Sequence, residues 1–412
     1  MKFRYSYLIP LIILFGLLVA CSGPEGPVGP AGPAGAPGPE GPQGPAGKEG
    51  ESGSSGEGIS GAEYVGAKTC AGCHKETFDV FNKSGHAWAL NKVVDGAPPD
   101  YPFTRLNTPS EGYSWTDITY VNGGYHWKAL FLDKEGYIIT DTPGSSGNSE
   151  YLNQWNFANN ELDKNEGWVS FSAGTQKLAF DCGSCHTTGY NPNGNQDGLP
   201  GIIGTWAEAG VQCEACHGPG SLHMTNPKGV AMEVERDAEA CGQCHQRSPV
   251  EAISARNGFF EHNQQYNELF QSKHLSLKCT DCHNPHSGVV QLQEADKPTT
   301  RTTCGNCHYV EAQNKKVLMH QFTCVGCHMP KIAQSAWGDL EKYQADIRTH
   351  IQAIDPLLTN QFSEDESVAV SQITLDFACK HCHGGGFASP KEDAVLLEAA
   401  QGYHQPQDEV QP

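Results

Sequence analysis

Cys70-Ala71-Gly72-Cys73-His74 opens a series: the pattern Cys-x-x-Cys-His occurs eight times and uses sixteen of the seventeen cysteines. The later copies are Cys182/Cys185/His186, Cys213/Cys216/His217, Cys241/Cys244/His245, Cys279/Cys282/His283, Cys304/Cys307/His308, Cys324/Cys327/His328 and Cys379/Cys382/His383. Zinc sites and disulfides also pair cysteines, but neither demands a histidine directly after every second one. Haem does. Two thiols bond the two vinyl groups along one edge of the macrocycle, and the next residue turns its imidazole onto the iron. The sixteen cysteines therefore read as attachment points for eight c-type haems, with the eight motif histidines as proximal iron ligands.

The composition fits that reading. Apolar residues make up 38% of the chain, below the ~45–50% usual for globular proteins. Macrocycles supply the missing apolar surface if about 320 residues enclose the eight haems. The formal charge of −20 excludes nucleic acid as a partner, since that needs a basic footprint.

Residues 1–20 read as a bacterial lipoprotein signal peptide: Lys2 and Arg4 precede a short apolar run that ends at Leu18-Val19-Ala20-Cys21. The run is short for a membrane span and its flank is basic, as in export signals. Cys21 is the seventeenth cysteine and sits at the acylation position; several acyl chains there would anchor the protein firmly. Ser22, rather than aspartate, favours the outer membrane, so the chain reads as exported and held at the cell surface. From Gly23 every third residue is glycine for twelve triplets, with prolines that include those at positions 24, 27, 30, 33, 42 and 45. Only glycine fits the axis of a collagen triple helix, yet a proline-rich segment is also a semi-rigid spacer without partners. A homotrimer and a single-chain stalk both remain open. At ~3 Å per residue the 36 residues of 23–58 reach on the order of 100 Å.

Residues 59–384 then form the haem domain, and residues 385–412 a C-terminal helix, expected over 391–400, with a polar tail. A helix is expected from Lys75 toward Leu90, carrying His86. Between His74 and Cys182 lie 107 residues, in which 115–121, 125–132 and 137–140 are aromatic and β-branched and are separated by turn residues. That is the pattern of a β-meander, and residues 102–172 read as a β-rich insertion. Beyond Cys182 the first cysteines fall 31, 28, 38, 25, 20 and 55 residues apart, too close for independent domains, so the haems must pack as one array. Residues 253–270 read as a helix, since Phe259, His262, Tyr266 and Leu269 share a face at helical spacing. The fold class is thus a multihaem cytochrome fold: short helices and loops wrapped around eight covalent haems, with a small β-rich lobe and an extended collagen-like stalk.

Ten histidines lie outside the iron-binding positions of the motifs. His86, His126, His223, His262, His274, His286, His320 and His350 are the candidates for the second, distal iron ligand. His286 follows His283 by three residues and cannot reach round to the far side of the same iron, so it serves a neighbouring haem. His381, inside its own motif, and His404, in the tail, read as solvent-facing or as supporting residues.

The pattern resembles the bacterial multihaem c-type cytochromes, and within them the cytochrome c-554-like group that includes surface electron-transfer proteins of metal-respiring bacteria. Ser84-Gly85-His86 after the first motif, Gly218-Pro219-Gly220-Ser221-Leu222-His223 after the third, Asn284-Pro285-His286 after the fifth, and Met329-Pro330 with His350 after the seventh carry the likeness. It implies low-spin, low-potential, bis-histidine haems that relay electrons. On that reading the chain is an electron carrier, not an enzyme. It links membrane or periplasmic redox proteins, cytochromes among them, to an extracellular acceptor such as a metal oxide or a small molecule. Two alternatives stay open: an octahaem oxidoreductase of nitrogen or sulfur compounds with one open iron, and a subunit of a trimeric or filamentous assembly. Cleavage within residues 23–58 should release a soluble, fully haem-loaded domain; an insoluble or haem-depleted product would contradict the stalk.

Overall fold

The computed structural model describes residues 61–232, 234–287, 300–314, 323–384 and 388–404, all within the unit Ser52–Pro412. The signal peptide, Cys21, the triplet stalk and His320 lie outside the described residues. Among the described residues no helix is long and apolar enough to cross a membrane.

Two five-stranded sheets carry most of the regular structure. The first is an antiparallel meander in the order β1 (Leu90–Lys92), β2 (Tyr120–Gly123), β3 (Lys128–Leu132), β4 (Gln154–Asn156) and β5 (Gly167–Val169). Its register sorts its residues by face, because successive side chains alternate. Val121 pairs with Phe131, Ala129 with Trp155, and Trp155 with Trp168. That face packs on Tyr101, Leu106, Ile118 and Tyr151. The opposite face carries Asn122, Leu130, Gln154 and Val169 in one row and Lys128 with Asn156 in the next. All six line the main cavity. The expected β-rich region is therefore a roof, dry above and facing the cavity below. A short ribbon of β6 (Thr187–Thr188) and β7 (Glu208–Ala209) follows.

The second sheet has the order β11-β10-β9-β8-β12, from β8 (Ile253–Arg256), β9 (Phe259–Glu261), β10 (Lys331–Asp339), β11 (Gln344–Arg348) and β12 (Val368–Ala369). It replaces the helix expected over 253–270, of which Gln265–Phe270 alone is helical. The reason is local: Asn257 and Gly258 have φ of 54° and 74°, the left-handed pair that a two-residue hairpin turn requires. Phe260, Ile253, Ile332, Ala345 and Ile351 form its buried core. The helix expected from Lys75 ends at Phe81, and a 3₁₀ turn, Gly85–Trp88, carries His86 and leads to β1. The last helix spans Asp393–Ala400.

One buried carboxylate joins the two sheets. Ala333 pairs with Ile347 and Gly338 with Ala345, so residues 334–337 bulge opposite Asp346 alone. Asp346 accepts hydrogen bonds from the backbone N–H groups of Ser335 at 2.7 Å, Ala336 at 2.7 Å and Trp337 at 2.8 Å. With the N–H groups turned inward, the bulge carbonyls are free for other donors. Ser335 O accepts from Lys128 Nζ at 2.7 Å and Ala336 O from Asn156 Nδ2 at 3.0 Å, while Gln334 O accepts from His262. Asp346→Ala would strand three buried donors at roughly 1–3 kcal/mol each. A loss of about 3 kcal/mol or more is expected in chemical unfolding, with Asp346→Asn, which keeps an acceptor, losing less.

Candidate functional site

Each motif is built on about one helical turn, and the spacing explains why. Residues i, i+3 and i+4 share one face of a helix, so both thiols and the imidazole point the same way. The closing bonds are present: the backbone N–H of His74 donates to Cys70 O at 2.8 Å, His186 to Cys182 O at 3.1 Å, His283 to Cys279 O at 2.8 Å and His308 to Cys304 O at 2.8 Å. All sixteen cysteines and all eight motif histidines line a single cavity of about 5500 Å³. That is roughly 690 Å³ for each of the eight motifs, within the ~300–1,000 Å³ of a ligand or cofactor pocket. Neighbouring motifs meet at their cysteines: Cys70 at Cys213, Cys185 at Cys244, Cys241 at Cys279 and Cys304 at Cys324.

Six motif histidines face a second imidazole across this cavity. The ring centres are 6.4 Å apart for His74 and His223, 6.2 Å for His245 and His86, and 6.1 Å for His217 and His286. They are 5.9 Å apart for His308 and His274, 6.0 Å for His283 and His350, and 5.9 Å for His328 and His404. Two metal–imidazole bonds of about 2 Å each, plus the depth of each ring, fill such a gap, so the arrangement fits an iron at the midpoint. Backbone and amide oxygens hold the rings from behind. His223 Nδ1 donates to Val230 O at 2.6 Å, His274 Nδ1 to Gln352 Oε1 at 3.0 Å, His328 Nδ1 to Gln352 O at 2.8 Å and His404 Nδ1 to Glu311 O at 3.2 Å. A donor at Nδ1 leaves Nε2 with its lone pair free for a metal. His350 is held by its own backbone N–H, which donates to buried Glu268.

His404 is the partner that sequence reading passed over; its place in a polar tail hid a contact with a residue 76 positions earlier. His126 and His262, both distal candidates, do not stand opposite a motif histidine at this spacing. His126 tilts against Trp127 with ring centres 4.7 Å apart, and His262 is tied to the Gln334 carbonyl. His381 Nδ1 donates to Phe377 O at 2.9 Å.

Among the described residues, no second imidazole faces His186 or His383 in this way. His186 Nδ1 donates to Ala89 O at 3.1 Å, so its Nε2 is directed to the metal position like the others. Burial, with further contributions from His245 and Lys128, holds it below the usual histidine range. Its neighbourhood carries three cationic side chains and the ring of His262. Lys128, Arg247, Arg256 and His262 all line the cavity. Burial, aided by the charges of Lys128, Arg247 and His186, pushes His262 down to about 3. Burial pushes the Lys128 ammonium down to about 8, against the pull of Asp346. Arg247 Nε pairs with Glu261 at 2.7 Å and Arg256 with the same carboxylate at 3.3 Å. Three cations thus share two carboxylates, Glu261 and Asp346, and Asp346 already serves three N–H groups.

Residues 149–218 match the family described as cytochrome c554 and c-prime, and residues 205–308 the family described as cytochrome c3. The chain is 21% identical over 402 residues to the dissimilatory sulfite reductase MccA of Wolinella succinogenes, an alignment covering 71% of this chain and 55% of that protein. It is 26% identical over 189 residues to the multiheme cytochrome MtrA of Shewanella baltica, covering 35% and 56%. The chain therefore spans about half the length of these curated relatives. Among solved structures, the octaheme sulfite reductase MccA of W. succinogenes superposes with a TM-score of 0.58 at 17% identity, covering 83% of this chain and 71% of that one. At that identity the likeness is one of fold. With its recurrent attachment motif and two cytochrome family matches, the chain belongs to the multihaem c-type cytochromes.

Proposed function

We propose that the chain is an octahaem oxidoreductase: a relay of bis-histidine haems, six of them set between the paired imidazoles, that feeds an open haem at Cys182, Cys185 and His186, where a small oxyanion of sulfur or nitrogen is reduced. The observation that carries this reading is the contrast, among the described residues, between six motif histidines that face a second imidazole and His186, which, unlike the equally unpaired His383, lies beside Lys128 and His262. Haem, when bound, supplies electrons and a coordination position. The chain supplies the rest. Lys128 and Arg247 attract and orient an anion, and the Asp346 bulge fixes Lys128 through Ser335 O. The sheet β1–β5 closes the cavity above them with Asn122, Gln154 and Asn156. The name of the relative MccA makes sulfite the first substrate to try.

A second reading keeps the first expectation of an electron carrier. Cys21 and the glycine triplets favour it, because a lipid-anchored stalk would hold the haems out from an outer membrane toward an external acceptor.

Oxidation of the reduced protein by sulfite and by nitrite separates the two. The reductase reading expects turnover with at least one of them, about tenfold weaker for Lys128→Gln through a raised KM. It also expects weaker binding as the pH rises past about 8, where Lys128 loses its proton and with it the charge set against Arg247, Arg256, Glu261 and Asp346. Oxidation by neither anion leaves the carrier.

A further inference from the structure

Glu214 has no task in the relay described so far. It sits inside the third motif, between Cys213 and Cys216, and is 3% exposed. Its Oε1 accepts from the N–H groups of Val65 at 3.0 Å and Gly220 at 2.7 Å, and its Oε2 from Gly66 at 2.8 Å and Val65 at 3.1 Å. Every partner is a backbone donor. A protonated carboxyl would need an acceptor, so the group is a carboxylate, and its partners include no lysine or arginine. Gly220 permits the approach: a Cβ there would lie 3.2 Å from Glu214 Oε1.

The anchored segments all belong to two neighbouring haem sites. Val65 and Gly66 lead into the helix Ala67–Ala71, which carries Cys70. Gly220 precedes the helix Ser221–Thr225, which carries His223, the ring facing His74. Glu214 itself lies on the helix Cys213–His217, whose His217 faces His286. Glu214 therefore places an unpaired negative charge among the supports of both haems, with the half-buried Glu208, which accepts from the Ala67 N–H at 2.9 Å, beside it. A ferric haem carries one more positive charge than a ferrous one, and a buried anion is screened little by salt; net charge, burial and supporting hydrogen bonds are among the means by which a protein sets haem potentials.

We infer that Glu214 lowers the reduction potentials of the haems at His74 and His217 and makes this pair the low-potential end of the array. The inference rests on the relay reading for those two haems and is independent of the open position at His186.

The test is a potentiometric titration of full-length, haem-loaded protein followed by EPR, with haem content measured alongside. In Glu214→Gln the haem content and the low-spin signals should stay unchanged, while the two lowest midpoint potentials rise. At a fixed potential the ferric-to-ferrous ratio of those haems should fall at least tenfold, about 59 mV for one electron. Unmoved potentials with signals intact overturn the role of Glu214 alone; high-spin haem at these two sites in the unaltered protein would instead count against the relay. If Glu214→Gln does not load haem, His223→Met decides, because methionine ligation raises a haem potential. The transition that moves should be one of the two lowest, and movement of any other overturns the proposal.

Discussion

Two imidazoles held about 6 Å apart are the constraint on which the rest of this structure depends. Each such pair ties together parts of the chain that lie far apart in sequence: His74 to His223, His86 to His245, His328 to His404. When a metal bridges the rings, the pair acts as a cross-link that the folded state alone can make, which lends stability to a chain with few long elements. Helices of one or two turns are then enough, because their work is to aim two thiols and one imidazole rather than to bury a broad apolar face.

The sheets do what the short turns cannot. They are rigid enough to fix charged side chains at the edge of an apolar cavity, and the β10 bulge is the device that does so. By drawing three N–H groups onto Asp346, it presents three successive carbonyls outward to His262, Lys128 and Asn156. A lysine placed there keeps a donor role and a positive charge beside His186, where six of the other motifs have a second ring.

Much of this was legible in the sequence, and what was not failed for physical reasons. The motif announces itself because covalent attachment needs fixed residues at fixed spacing. The first sheet is legible through its alternation of aromatic and polar residues. The second was hidden: Phe259, His262, Tyr266 and Leu269 fall at helical spacing, and the stronger signal, the Asn257-Gly258 turn, is two residues long. The distal histidines divide in the same way. His86, His223, His274, His286 and His350 are set opposite motif histidines, but counting rings could not separate them from His126 and His262, which the bulge and the roof take for other purposes. His404 was invisible because its position depends on where the chain returns, not on what surrounds it in sequence. No local pattern marks Glu214 or Asp346 either, since both act through backbone donors brought to them by distant turns.

The central claim is that the haem at His186 is open while the six haems held between paired imidazoles are closed. Low-temperature EPR of the oxidised protein, followed by carbon monoxide addition after reduction, tests it most directly. The expected result is a high-spin component alongside a low-spin majority, with carbon monoxide bound to that component. A wholly low-spin spectrum that carbon monoxide leaves untouched would contradict it.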